Sequence, residues 1–135
     1  MKIQKDDTLP TVEKRVTQEQ IERYAEAAGD FNPIHIDHEF AATTQFGGTI
    51  AHGMLIAAFL SEMLAQTFHG DWLESGRLKI RFKAPVLPGD QITAFGRVKS
   101  VSEREGASQV TCSVGVRKQD GEAAITGDAT VVISR

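Results

Sequence analysis

His52-Gly53-Met54-Leu55-Ile56-Ala57-Ala58-Phe59-Leu60 is the stretch on which the fold turns. It is apolar almost all round, and a helix without a polar face is a buried helix. Polar positions enter only at Ser61 and Glu62, and the run ends near Gly70. As a helix, 54–68 would be roughly 22 Å long, too short for the ~30 Å hydrocarbon core of a bilayer. No membrane span is expected. The helix therefore needs a protein wrapping, and the flanking sequence has to supply it.

Downstream, the period changes to two. Leu78, Ile80 and Phe82 alternate with Lys79, Arg81 and Lys83, the pattern of a half-buried strand. Pro85, Pro88 and Gly89-Asp90 close it with a turn. Residues 92–98 and 109–116 read as further strands. Asp120-Gly121 signals a hairpin, and 129–133 supplies the last strand. Upstream, Thr17 followed three residues later by Gln20 is a capping-box signature. Ile21, Tyr24, Ala25 and Ala28 then form one apolar stripe at helical spacing. Gly29 stands where helices commonly end, and Asn32-Pro33 forces an extended or turning backbone. Asp37 can cap a short second helix through Thr44, with Phe40 and Ala41 facing inward. A glycine-rich turn follows at Phe46-Gly47-Gly48. Helices come early and strands late, which predicts an α+β domain with an antiparallel sheet packed on the buried helix.

The chain of 135 residues has room for one domain, 1–135. Its 41% hydrophobic and 24% charged content is that of an ordinary globular protein. With a net charge of −3 and scattered Lys and Arg, it lacks the clustered cations that grip phosphates, so no nucleic-acid partner is expected. Cys112 is the only cysteine, so no internal disulfide can form, which fits a reducing compartment. Residues 1–10 are polar and lack the apolar stretch of a secretory signal. The expected location is cytoplasmic.

Chemistry concentrates in Gly29-Asp30-Phe31-Asn32-Pro33-Ile34-His35. A carboxylate and an imidazole stand five residues apart on a loop that proline kinks toward one point. If one water sits between Asp30 and His35, the pair can take one proton and give another. The plain alternative is that Asp30 binds backbone N–H groups of the turn and His35 is a surface residue. Phe31 and Ile34 speak against it, because they predict a loop folded inward. A second feature is independent. Ala51-His52-Gly53-Met54 opens the buried helix, whose first N–H groups lack internal partners and carry about half a positive charge. Gly53, with no side chain, lets a ligand carbonyl approach its own N–H, the design of an oxyanion hole. The alternative is that Gly53 only permits close helix–sheet packing.

These segments resemble a family. Residues 29–35, then Asp37 and Phe40-Ala41, then Phe46-Gly47-Gly48-Thr49-Ile50-Ala51-His52-Gly53, are similar to the signature of the MaoC-like, R-specific enoyl-CoA hydratases. Phe82-Lys83-Ala84-Pro85-Val86-Leu87-Pro88-Gly89-Asp90 is similar to that family's strand-and-turn segment. The resemblance implies a hot-dog fold, with an antiparallel sheet wrapped around a long central helix and normally paired into a homodimer. It implies catalysis by Asp30 and His35, with Asn32 nearby, and a polarising N–H at Gly53. The expected substrate is an acyl-CoA or acyl-carrier-protein thioester, with no cofactor and no metal. Phe31, Asn32, His52, Met54 and Leu55 are the candidate substrate contacts, although Met54, Leu55 and Phe59 would more ordinarily be core. Lys79, Arg81, Lys83 and the nearby Arg77 could meet the phosphates of coenzyme A, or form a solvated strand face.

Three rival readings are weighed. A metal hydrolase using His35, Asp37, His38 and His52 lacks the i, i+4 histidine pair of a helical zinc site. A hot-dog thioesterase would use the same groups to attack the thioester carbonyl. A non-catalytic acyl-thioester binding module would not need both Asp30 and His35. Cys112, in a strand pattern with no adjacent base, reads as a small core residue.

Overall fold

The computed structural model describes residues 2–134. The elements run β1 (Val12–Arg15), α1 (Gln18–Ala28), α2 (Pro33–Ile36), α3 (His38–Ala42), α4 (Gly53–Phe68), α5 (Gly70–Ser75), β2 (Arg77–Phe82), β3 (Gln91–Arg104), β4 (Ala107–Lys118) and β5 (Ala123–Ser134). The strands form one sheet in the order β1-β3-β4-β5-β2, every neighbouring pair antiparallel.

Alternation along the strands decides which face meets the helix. Ile92, Ala94 and Val98 of β3, Val110, Cys112, Val114 and Val116 of β4, and Ala129 and Val131 of β5 are all buried. They join one core with Ile56, Leu60, Met63, Leu64 and Phe68 of α4. Burying each of the larger side chains contributes roughly 1.5–3 kcal/mol. A register shift between Val98 and Ser100 interrupts the β3–β4 ladder, and such a bulge bends a strand and adds twist. The sheet thus wraps the helix, which is the expected hot-dog arrangement. Burial pushes the Cys112 thiol up to about 11, as befits a small core residue.

Helix α1 forms as its capping box requires: Thr17 accepts from the Gln20 N–H, and the Gln20 side chain accepts from the Thr17 N–H. Ile21 and Ala25 are buried, and Gly29 ends the helix at φ 71°.

Several sequence expectations need correction. Pro33 does not leave an extended loop. It occupies the first position of the one-turn helix α2, where its missing N–H costs nothing, and Asn32 caps that turn. The Asp37-capped helix ends at Ala42, and its Phe40 is exposed; only Ala41 faces inward. The start of α4 is not enclosed all round, since Met54 and Ala58, one turn apart, are exposed. Strand β1 and helix α5 were not foreseen. The chain from β2 into β3 is pinned to the strand opposite: Lys118 pairs with Asp90 at 3.0 Å and donates to the Pro85 carbonyl.

Candidate active site

The site is assembled at the mouth of α4 by the connection that precedes it. Asp30 follows the left-handed Gly29, and its N–H bonds the Ala25 carbonyl. The Asp30 carboxylate accepts the Asn32 N–H at 3.2 Å, while Asn32 Oδ1 accepts the Ile34 N–H at 3.1 Å. These two short bonds fold the chain so that His35 comes back over the turn. Asn32, a candidate substrate contact, is thus committed to capping. Phe31, expected to fold inward, is 60% exposed. The kink comes from capping hydrogen bonds, and apolar collapse has no part in it.

His35 is held on three sides. Its Nδ1 lies 2.8 Å from the Ile50 carbonyl oxygen. A carbonyl only accepts, so Nδ1 carries the proton and Nε2 is left as a bare acceptor. The His35 carbonyl accepts from the Gln18 side-chain amide at 2.9 Å, and the Gln18 oxygen accepts the hydroxyl of buried Thr49 at 2.8 Å. The Ile50 N–H returns to the Ile34 carbonyl, and the Ala51 N–H bonds Val86 at 2.7 Å. Gln18 and Thr49 were missed in the sequence. No local spacing joins positions 18, 35 and 49, because the contact exists only once α1 packs against the connection.

His52 was a candidate substrate contact. It is 2% exposed, its ring stacked on His35 at 3.8 Å between centroids and tilted against Tyr24 at 4.9 Å. Its Nε2 lies 3.0 Å from the Asp30 carbonyl oxygen and so donates to it, leaving a buried Nδ1 without a partner. A buried acceptor left unpaired costs about 1–3 kcal/mol.

Ligating atoms of Asp30, His35 and His52 all lie within 4.8 Å of one another. Two hydrogen bonds of ~2.8 Å meeting at a water's tetrahedral angle span about 4.6 Å, so the Asp30–His35 gap matches one bridging water. A tetrahedral zinc ion would draw its ligands to ~3.4 Å. The other members of the metal reading are elsewhere engaged. Asp37 caps α3 through the Glu39 and Phe40 N–H groups, and His38 is exposed on that helix.

Gly53 begins α4, and its N–H has no partner among the described residues. A side chain there would come within 2.8 Å of the Phe82 ring, so the close-packing reading of this glycine also holds. An apolar cavity of about 530 Å³ opens beside it, walled by Ile50, Gly53, Met54, Phe82, Val86 and Ile125 among others. Leu55 is not on that wall. One residue along a helix turns the side chain by about 100°, and Leu55 is buried in the core. Asp30 and His35 do not line the cavity either; it meets the pair along the stretch from Ile50 to Gly53. Lys83 reaches the cavity rim, whereas Lys79 and Arg81 lie on the outer sheet face.

A helix rolled in an antiparallel sheet, with an Asp–His pair on the connection leading into it, defines the class: a hot-dog domain with acid–base chemistry at the helix mouth. The family model described as "MaoC like domain" matches residues 2–120, and the chain belongs to that family. It is 37% identical to the (R)-specific enoyl-CoA hydratase of Aeromonas caviae over 87% of each chain. It is 34% identical to that of Rhodospirillum rubrum, over 96% of this chain and 88% of the other. The solved structure of the (R)-hydratase from A. caviae superposes with a TM-score of 0.83 at 32% identity, over 96% of each chain.

Proposed function

We propose that this protein is an R-specific enoyl-CoA hydratase, adding water reversibly to a trans-2-enoyl thioester. The observation that carries the reading is the separation of the Asp30 and His35 groups, within 4.8 Å, which suits a single shared water. His35 is the base, because its Nδ1–H is committed to Ile50 and only Nε2 can accept a proton. The thioester carbonyl lies on the Gly53 N–H at the positive end of α4. Negative charge builds on that oxygen as water attacks C3, so the helix terminus favours the transition state over the ground state. One hydrogen of the water passes to His35 Nε2 and the hydroxyl adds to C3. The Asp30 carboxyl delivers the proton that C2 requires. Both additions come from one face, a syn addition giving the R-3-hydroxyacyl product. The acyl portion is held by the apolar cavity, with Met54 and Phe82 as contacts at its rim.

The working unit on this reading is a homodimer. Strand β2 is an open edge of the sheet, and Phe31, Met54 and Phe82 leave large apolar surface around the site for a second copy to cover.

Crotonyl-CoA hydration, followed by loss of the conjugated enoyl absorbance with chiral analysis of the product, tests the assignment. Asp30→Asn and His35→Ala proteins that remain folded should each lose about 10²–10⁴-fold in turnover. Near-normal turnover in either variant overturns the acid and base roles of the pair. Release of free thiol in place of hydration would establish a thioesterase instead.

A further inference from the structure

His52 takes no step in the mechanism above, yet it connects all of its parts. Those parts lie on separate stretches of chain: the turn carrying Asp30, the short helix carrying His35, and the start of α4 carrying Gly53. His52 immediately precedes Gly53, donates from Nε2 to the Asp30 carbonyl at 3.0 Å, and stacks on the His35 ring with centroids 3.8 Å apart and planes 24° from parallel. It is also the residue with an unpartnered buried side-chain nitrogen, Nδ1. Simple filling of this space does not call for an imidazole. A leucine or phenylalanine would fill it without burying a bare acceptor. What the imidazole adds is a donor aimed at the Asp30 backbone and a flat face lying along the ring of His35.

Resting on the hydratase reading, we propose that His52 is a positioning residue that fixes the separation of the Asp30 carboxylate and the His35 imidazole. The hydrogen bond anchors the turn behind Asp30. The stack keeps His35 from pivoting about its bond to the Ile50 carbonyl. A displacement of about 1 Å between reacting groups costs on the order of 100-fold in rate, so either loss should be felt in turnover.

The two devices separate by substitution. His52→Phe keeps a flat ring and loses the donor; His52→Gln keeps an amide N–H donor and loses the ring; His52→Leu loses both. With crotonyl-CoA, kcat should fall at least about tenfold in His52→Leu, with His52→Phe and His52→Gln between it and the parent and KM within about threefold throughout. The melting temperature of the Leu and Phe proteins should equal or exceed that of the parent, because the bare buried nitrogen is gone. A space-filling role would instead make kcat follow the melting temperature, and that result overturns the proposal. So does parental kcat in His52→Leu. Imidazole ¹⁵N spectra provide a readout independent of turnover. His52 should be the Nε2–H tautomer in the parent, and His35 signals should shift in His52→Leu and, as a second folded variant, in His52→Phe. Unchanged His35 signals sink the positioning role whatever the activity. A parental protein without hydratase activity but with these spectral changes would fail the functional reading and leave the positioning geometry standing.

Discussion

At the scale of single residues, Gly53 carries two demands that can be separated. Its N–H is open at the helix start, and its missing side chain leaves room for the Phe82 ring. Phe82 is 54% exposed and can swing away from a methyl group, so Gly53→Ala should fold. The added carbon nevertheless stands where a thioester carbonyl must approach. Hydratase kcat should fall by about 10²–10³-fold, the usual worth of one oxyanion donor. The double variant Gly53→Ala/Phe82→Ala should not recover it. Full recovery would mean that ring packing, with no catalytic amide, is the reason for the glycine. Legibility at this scale follows sequence distance. Asp30, His35 and Gly53 stand in compact strings whose turn and cap chemistry is local. Gln18, Thr49 and the stacking of His52 depend on contacts across up to 31 positions, and no spacing announces them.

Among the elements, those with strong periodicity were legible: α1 by its capping box and stripe, α4 by its apolar run, β2 by its alternation. What escaped did so for physical reasons. Strand β1 is a four-residue edge strand in which only Val12 is buried, too little to make a pattern. Strands β3 and β4 run past the apolar alternation because their far ends, around Ser102 to Ser108, pair with each other in solvent. The turn between β2 and β3 yields a pH-dependent prediction. Burial by itself would raise the Asp90 carboxyl, but hydrogen bonds from Gln119, the Leu87 N–H and Lys118, with the charge of Lys118, outweigh it and hold Asp90 below its ordinary 3.8. A carboxyl depressed in the folded state stabilises it above the unfolded value, and that gain disappears as pH falls through the folded value. Asp90→Asn should therefore be less stable by about 1–3 kcal/mol at pH 7 in urea unfolding. The gap should begin to close below about pH 4 and vanish in stronger acid. A gap constant with pH would show that ionisation of Asp90 contributes nothing.

For the molecule as a whole, composition and element order were enough to give an α+β domain, and the family resemblance supplied the hot-dog arrangement that the sheet and α4 then form. Assembly was not legible in the residues themselves, because an edge strand and a few exposed apolar side chains are visible only once the chain is folded. The open edge of β2 and the uncovered Phe31, Met54 and Phe82 predict a dimer in sedimentation velocity at micromolar concentration. A species of single-chain mass across that range would remove the pairing from the functional reading.

The cavity beside Gly53 is walled partly from another part of the chain than the one that brings in Asp30 and His35: Val86 precedes β3, and Ala124 and Ile125 belong to β5. Reaction and selectivity are thus written on different segments. Widening or narrowing the sheet side of the pocket can retune which acyl lengths are accepted without disturbing the machinery that handles the proton, so that a lineage with this architecture could change its diet while keeping its trade.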